Sequence, residues 1–138
     1  MNGYIIDAAA MGPLIIPDEA NELIGVLPEA LGSDEALVPQ HWRLEVANLA
    51  RMAIRKRRLT ERLLVDAFVT LSVFTVILDS GTDHHSWKNT LDLAARHDLT
   101  AYDAAYLELA LRTGRTIITR DKSLIRAASV ETVAIVRI

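Results

Sequence analysis

Four acids in this chain stand where a carboxylate is either costly or useful: Asp7, Glu45, Asp103 and Asp121. Asp7 closes the short β-type run Tyr4-Ile5-Ile6, and Asp121 comes just after the run Thr116-Ile117-Ile118-Thr119. Both therefore fall at the carboxyl ends of predicted strands, where open parallel sheets collect ligands. Glu45 shares a helical face with Trp42, Leu49 and Met52, and Asp103 shares one with Tyr106, Leu107 and Ala110. A carboxylate on an apolar stripe is unfavourable unless it is paired, protonated or bound to a metal. Hard oxygen donors suit a divalent cation such as Mg²⁺, and such an ion can activate water for hydrolysis. Each acid also has a plain structural reading. Asp7 and Asp121 fit helix N-caps, Thr100-x-x-Asp103 resembles a capping box, and Glu45 can sit at the edge of its stripe or pair with Arg43 or Arg55. The residues alone leave both readings open.

The elements that must position these acids alternate along the chain. Strands are predicted at Tyr4–Ile6, Ala36–Val38, Val73–Leu78, Thr116–Thr119 and Val133–Val136. Between them, helical patterns follow Asp7, run from Asp18-Glu19 to about Leu31-Gly32, and cover 41–57, 60–71, 83–96, 100–113 and 121–128. Thr60 and Thr100 are expected N-caps, and Gly114 is an expected C′ stop. This alternation predicts one α/β domain over 1–138, a three-layer α/β/α sandwich around a mainly parallel sheet of four to five strands. The greasiest stretch, Leu63 to Leu78, is interrupted by Asp66 and is too short for a membrane span. It is expected to be a buried helix followed by a buried strand.

Composition narrows the chemistry. The chain has 138 residues, 51% apolar and 24% charged, which is a globular composition. Cysteine is absent, so disulfides, zinc–thiolate sites and thiol nucleophiles are excluded. No basic leader with a cleavage site opens the sequence, so a cytoplasmic location is expected. The net charge is −3, which argues against a general nucleic-acid coat protein. That charge is uneven: residues 1–50 carry one basic and eight acidic residues, whereas 112–138 carry six basic and two acidic. The densest basic run is Arg51, Arg55, Lys56, Arg57 and Arg58, with a solvated helix end as its simplest reading. His84-His85 reads as a solvated turn, His41 and His97 as residues near helix ends, and Tyr102 with Tyr106 as core. No GxGxxG, GxxxxGK[ST] or Gly-x-Ser-x-Gly pattern is present.

With these residues in view, the sequence resembles the PIN-domain nucleases, and within them the VapC-type ribonuclease toxins of bacterial toxin–antitoxin pairs. Ile5-Ile6-Asp7-Ala8-Ala9 is similar to the family's first motif, and Ile16-Pro17-Asp18-Glu19 to the segment that commonly follows. Trp42-Arg43-Leu44-Glu45-Val46-Ala47-Asn48 resembles the Glu-bearing helix motif. Leu99-Thr100-Ala101-Tyr102-Asp103-Ala104-Ala105-Tyr106-Leu107 is the most specific match, continuing to Ala110, and Ile118-Thr119-Arg120-Asp121-Lys122-Ser123-Leu124 resembles the Thr-x-Asp-x-x-Leu motif. The separations between successive acids are 38, 58 and 18 residues, all normal for the family. One departure stands out: the family usually has Ser or Thr two residues after the first Asp, where this chain has Ala9.

The resemblance implies a Mg²⁺- or Mn²⁺-dependent endoribonuclease with Asp7, Glu45, Asp103 and Asp121 as the catalytic and metal-binding quartet and Thr119 beside it. It implies in-line attack by water that leaves a 3′-hydroxyl and a 5′-phosphate, a homodimer, and a cognate antitoxin that holds the toxin inactive. Arg51, Arg55, Arg112, Arg115, Arg120 and Lys122 are then candidates for RNA contacts. Four carboxylates held close together would repel, so one is expected to retain a proton without metal. Two other readings compete: a catalytically weakened PIN-like module that binds RNA or protein, which Ala9 favours, and a phospho-acceptor receiver domain. Against the latter, no acid ends the Val38 strand and Lys122 is poorly placed as its lysine.

Overall fold

The computed structural model describes residues 3–20, Leu27 and 35–138. Five short strands form one sheet in the order β3-β2-β1-β4-β5. They are β1 (Tyr4–Ile6), β2 (Ala36–Val38), β3 (Val76–Leu78), β4 (Thr116–Thr119) and β5 (Ile135–Arg137), and every neighbouring pair is parallel. Parallel pairing requires a crossover between strands, and helices supply it. Ile5 and Ile6 of the central strand and Ile117 and Ile118 of β4 are almost completely buried, as a sheet covered on both faces demands.

The described helices are α1 (Gly12–Ile15), α2 (Trp42–Arg55), α3 (Glu61–Leu71), α4 (Thr82–His85), α5 (Leu91–His97), α6 (Ala101–Thr113) and α7 (Lys122–Val130). Short 3₁₀ turns cover Ala8–Met11 and Pro17–Glu19, and a π-helical turn, Ser86–Thr90, joins α4 to α5. Local chemistry sets the boundaries. The Thr60 and Thr100 hydroxyls accept from Leu63 N at 3.2 Å and Asp103 N at 3.1 Å, and α6 stops at Gly114 with φ +71°. α6 carries the longest buried run, Ala104 to Ala110, and packs on β1 and β4. It is thereby clamped beneath the strand ends that carry Asp7 and Asp121.

Four expectations are corrected. Leu63–Leu78 is not a buried helix and a buried strand: Ala67 is the buried residue of α3, while Val69 and Val73 are 66% and 75% exposed. β3 is an edge strand with one strand beside it, and α3 turns a single face inward, burying Ala67 and leaving Val65 and Val69 exposed. His84-His85 belongs to α4 rather than a turn. Tyr102 is largely exposed on α6, whereas Tyr106 is fully buried. The helix expected from Asp18-Glu19 begins instead as the 3₁₀ turn Pro17–Glu19; its continuation lies outside the described residues, apart from buried, helical Leu27. No described helix is long and apolar enough to cross a membrane.

Candidate active site

The sheet brings the first and last acids together. β1 and β4 pair in register, Ile6 beside Ile118, so the residues following them meet at the same edge. Thr119 links the two: its hydroxyl donates to Asp7 Oδ2 and accepts from the backbone N–H of Asp121 at 3.0 Å. Asp7 also accepts from Ala10 N at 2.8 Å, and Asp121 accepts from Leu124 N at 3.0 Å. Each acid thus caps the helical turn that follows it. Capping takes one oxygen of Asp121 and leaves the other to a ligand, whereas both Asp7 oxygens accept, one from Ala10 and one from Thr119, and an ion there would share them.

Asp103 and Glu45 approach from helices. Asp103 lies in the first turn of α6 and Glu45 in the first turn of α2, both half-buried. Their charges bear on the others. Burial is the main force raising the Asp7 carboxyl, to about 6; the Thr119 and Ala10 hydrogen bonds oppose it, and the charges of Asp121 and Asp103 add to it. The Asp103 carboxyl is also raised, first by burial and then by the charges of Asp121 and Glu45. Three carboxylates therefore act on Asp103 or Asp7, opposed on Asp103 only in part by the charge of His41. Among the described residues, no three His, Asp or Glu side chains are grouped closely enough to hold an ion as they stand. The donor set is nonetheless all hard oxygen and mutually repelling, which fits a Mg²⁺-type cation that keeps several of its own waters.

Glu45 differs from its fellows. Burial raises its carboxyl, but hydrogen bonds from His41 and Tyr106 and the charge of His41 outweigh that and hold it below the ordinary glutamate range. The Tyr106 hydroxyl donates to Glu45 Oε1 at 2.6 Å, and His41 Nε2 lies 3.2 Å from the same oxygen. His41 Nε2 is also 3.2 Å from the Tyr102 carbonyl oxygen. Both partners are acceptors, so Nε2 is the nitrogen that carries hydrogen. Burial and the Glu45 acceptor keep the Tyr106 hydroxyl protonated. One Glu45 oxygen is thus fixed and the other left available. Sequence reasoning placed Tyr106 in the core and His41 at a helix end; both are so placed, and both also hold Glu45. The spacing of Tyr106 three residues after Asp103 was the available signal.

The cationic candidates divide. Arg112 is consumed: its guanidinium donates to Glu108 Oε1 and Oε2 at 2.7 and 3.1 Å and to Asp79 Oδ1 and Oδ2 at 3.1 and 2.6 Å. Arg120 pairs with Glu19, whose other oxygen accepts from Arg58 at 2.7 Å. Arg115 reaches the Glu35 carbonyl oxygen at 3.4 Å. Arg51, Arg55 and Lys122 are exposed and make no ion pair among the described residues.

A parallel sheet with acids gathered at its strand ends defines a class, and comparison with known proteins identifies it. The PIN domain model matches residues 4–130, so the chain belongs to the PIN domain family. It is 27% identical over 128 residues to Ribonuclease VapC3 of Pyrobaculum aerophilum, covering 87% of this chain and 90% of that protein. The crystal structure of PAE2754 from Pyrobaculum aerophilum superposes with a TM-score of 0.65 at 23% identity, covering 97% of this chain and 83% of that one. That likeness establishes the shared fold.

Proposed function

We propose that this protein is a Mg²⁺- or Mn²⁺-dependent endoribonuclease and the toxin of a toxin–antitoxin pair. The observation that carries the reading is the Thr119-linked pair Asp7–Asp121 at the strand ends, with Asp103 raised by its acidic neighbours. Membership of the PIN family and similarity to a protein named a ribonuclease give the reaction class. The same resemblance supports a cytoplasmic homodimer held inactive by a cognate antitoxin.

Asp7, Asp103 and Glu45 would hold the principal ion, with Asp121 acting directly or through water. A divalent cation bound there supplies activated water and charge stabilisation for phosphodiester hydrolysis. Thr119 keeps one oxygen of Asp7 oriented. Tyr106 and His41 hold Oε1 of Glu45 and leave its other oxygen for the ion. In-line attack of water on phosphorus would break the P–O3′ bond, leaving a 3′-hydroxyl and a 5′-phosphate.

The test is cleavage of a mixed structured-RNA panel by the wild type and by Asp103→Asn, with Mg²⁺, Mn²⁺ or EDTA. Metal-dependent cutting that disappears in the variant and in EDTA is expected. An absence of cutting by either protein, together with no metal binding by calorimetry, would favour the weakened binding module instead.

A further inference from the structure

A groove of about 360 Å³ opens beside Glu45 and runs along α2. Glu45, Asn48, Leu49, Met52 and Lys56 line one wall, at the spacing of a single helix face. Ala8, Ala9 and Ile16 line the opposite wall. Its two ends differ in charge. The near end carries Glu45, one of the acids that would hold a cation. At the far end, Arg58 is bound to both Asp18 oxygens, at 2.6 and 3.0 Å, and to Glu19, while Glu19 also takes Arg120. The two arginines there are therefore committed, and Lys56 makes no ion pair among the described residues.

Eleven residues separate Glu45 from Lys56, about 16 Å along a helix. That is too far for both to serve one phosphate. With a cation held beside Glu45, the groove would present an anion site at each end and an apolar wall between them. A nucleotide within a strand has the order phosphate, base, phosphate, at a shorter spacing that the long Lys56 side chain would meet by reaching back toward Glu45. The Asn48 amide offers both a donor and an acceptor, which is what reading a base edge requires. Ala9 contributes here as well. A methyl group in place of the family's hydroxyl keeps that wall apolar where it meets Ala8.

We infer that this groove is the subsite for the nucleotide next to the scissile phosphate, with its base against the Ala9–Met52 walls, Asn48 on its edge and Lys56 on the next phosphate. The inference rests on the nuclease reading above. It requires the nucleotide to be unpaired, because a stacked, paired base cannot turn its face into a protein groove. It also shifts the expected phosphate contact on α2 from Arg51 and Arg55 to Lys56.

The experiment measures binding of a fluorescein-labelled 12-nucleotide single-stranded RNA of random sequence by anisotropy. The parent protein is Asp103→Asn, to prevent cutting, and Mn²⁺ binding of otherwise wild-type chains is followed separately by calorimetry. Lys56→Ala and Asn48→Ala should each weaken RNA binding at least fivefold and leave Mn²⁺ affinity unchanged. Lys56→Ala should also lower the salt slope by about one. Arg126→Ala, an exposed cation on α7, should change neither. If the parent binds RNA and both groove variants bind it equally well, the groove is overturned and the nuclease reading survives. If the wild type binds neither Mn²⁺ nor RNA, both fall together.

Discussion

Two regions of this molecule bury carboxylates, and they balance them in opposite ways. At the strand ends, Asp7, Asp103, Asp121 and Glu45 gather with hydrogen-bond donors but without a guanidinium among them. Beside the edge strand, Asp79 and Glu108 are also buried, yet Arg112 meets all four of their oxygens and Thr82 donates to Asp79 at 2.9 Å. The chain even makes room for that guanidinium: a Cβ at Gly81 would come within 2.9 Å of Arg112 Nη1. The pKa directions record the contrast. Asp7 is raised to about 6, whereas in Asp79 the Arg112 and Thr82 hydrogen bonds outweigh burial and lower the carboxyl. A compensated cluster is built to hold the fold. An uncompensated one is what the proposed site for an external cation requires.

The largest effect should come from discharging the uncompensated cluster. Asp103→Asn should reduce RNA cleavage roughly 100-fold or more, the upper end of what even an outer partner of a metal ligand costs. The metal-free variant should melt no lower than the wild type, because a repelled charge has been removed. A clear fall in its Tm would mean that Asp103 is structural, and the contrast would fail.

Discharging the compensated cluster should do the reverse. Arg112→Ala leaves Asp79 and Glu108 buried without a partner, which should cost about 3 kcal/mol. In a chain of this size that is a Tm drop of roughly 10 °C. Cleavage per folded molecule should be unchanged. A variant that keeps its Tm but loses RNA binding would restore Arg112 to the phosphate contacts.

The two clusters should also respond to pH with opposite signs. Asp7 has a folded pKa near 6 against an ordinary 3.8, so its protonation favours the fold. That contribution is full below 3.8 and is lost as pH rises through 6. Asp79, held low, contributes above its ordinary value and loses its contribution as pH falls below it. Without metal, the Tm difference between Asp7→Asn and wild type should therefore grow as pH rises from 4 to 7. Saturating Mg²⁺ should shrink it, since binding stabilises the ionised wild type by about 2.7 kcal/mol at a hundred times Kd. A pH-independent difference would sink the assignment of Asp7 as the protonated member.

The smallest effect sharpens the role of Glu45. Tyr106→Phe keeps the buried ring and removes only the donor to Oε1. Mn²⁺ affinity by calorimetry should fall about tenfold, in line with other partners of metal ligands. An unchanged affinity would leave Tyr106 as core alone.

Much of the fold was legible because its signals are local. Thr60, Thr100 and Gly114 mark helix ends through bonds to residues three or four positions away, and apolar runs mark β1, β2 and β4. Leu63–Leu78 was misread for a physical reason. Apolar content says that a segment prefers burial, but only sheet order says whether a neighbour exists, and β3 turned out to be an edge. The motif acids were legible as positions, and the capping reading of Asp7 and Asp121 was legible beside them.

By itself, the sequence determined which residues carry oxygen donors, which strands and helices end at them, and that no thiol chemistry is available. Tertiary structure alone decided which charges are answered. Arg112 looked free until Asp79, 33 residues away, met it, and Tyr106 looked like core until its hydroxyl found Glu45 across 61 residues. Local spacing acts through backbone geometry over a few residues. Charge compensation depends on distance in space, and the parallel crossovers set that distance.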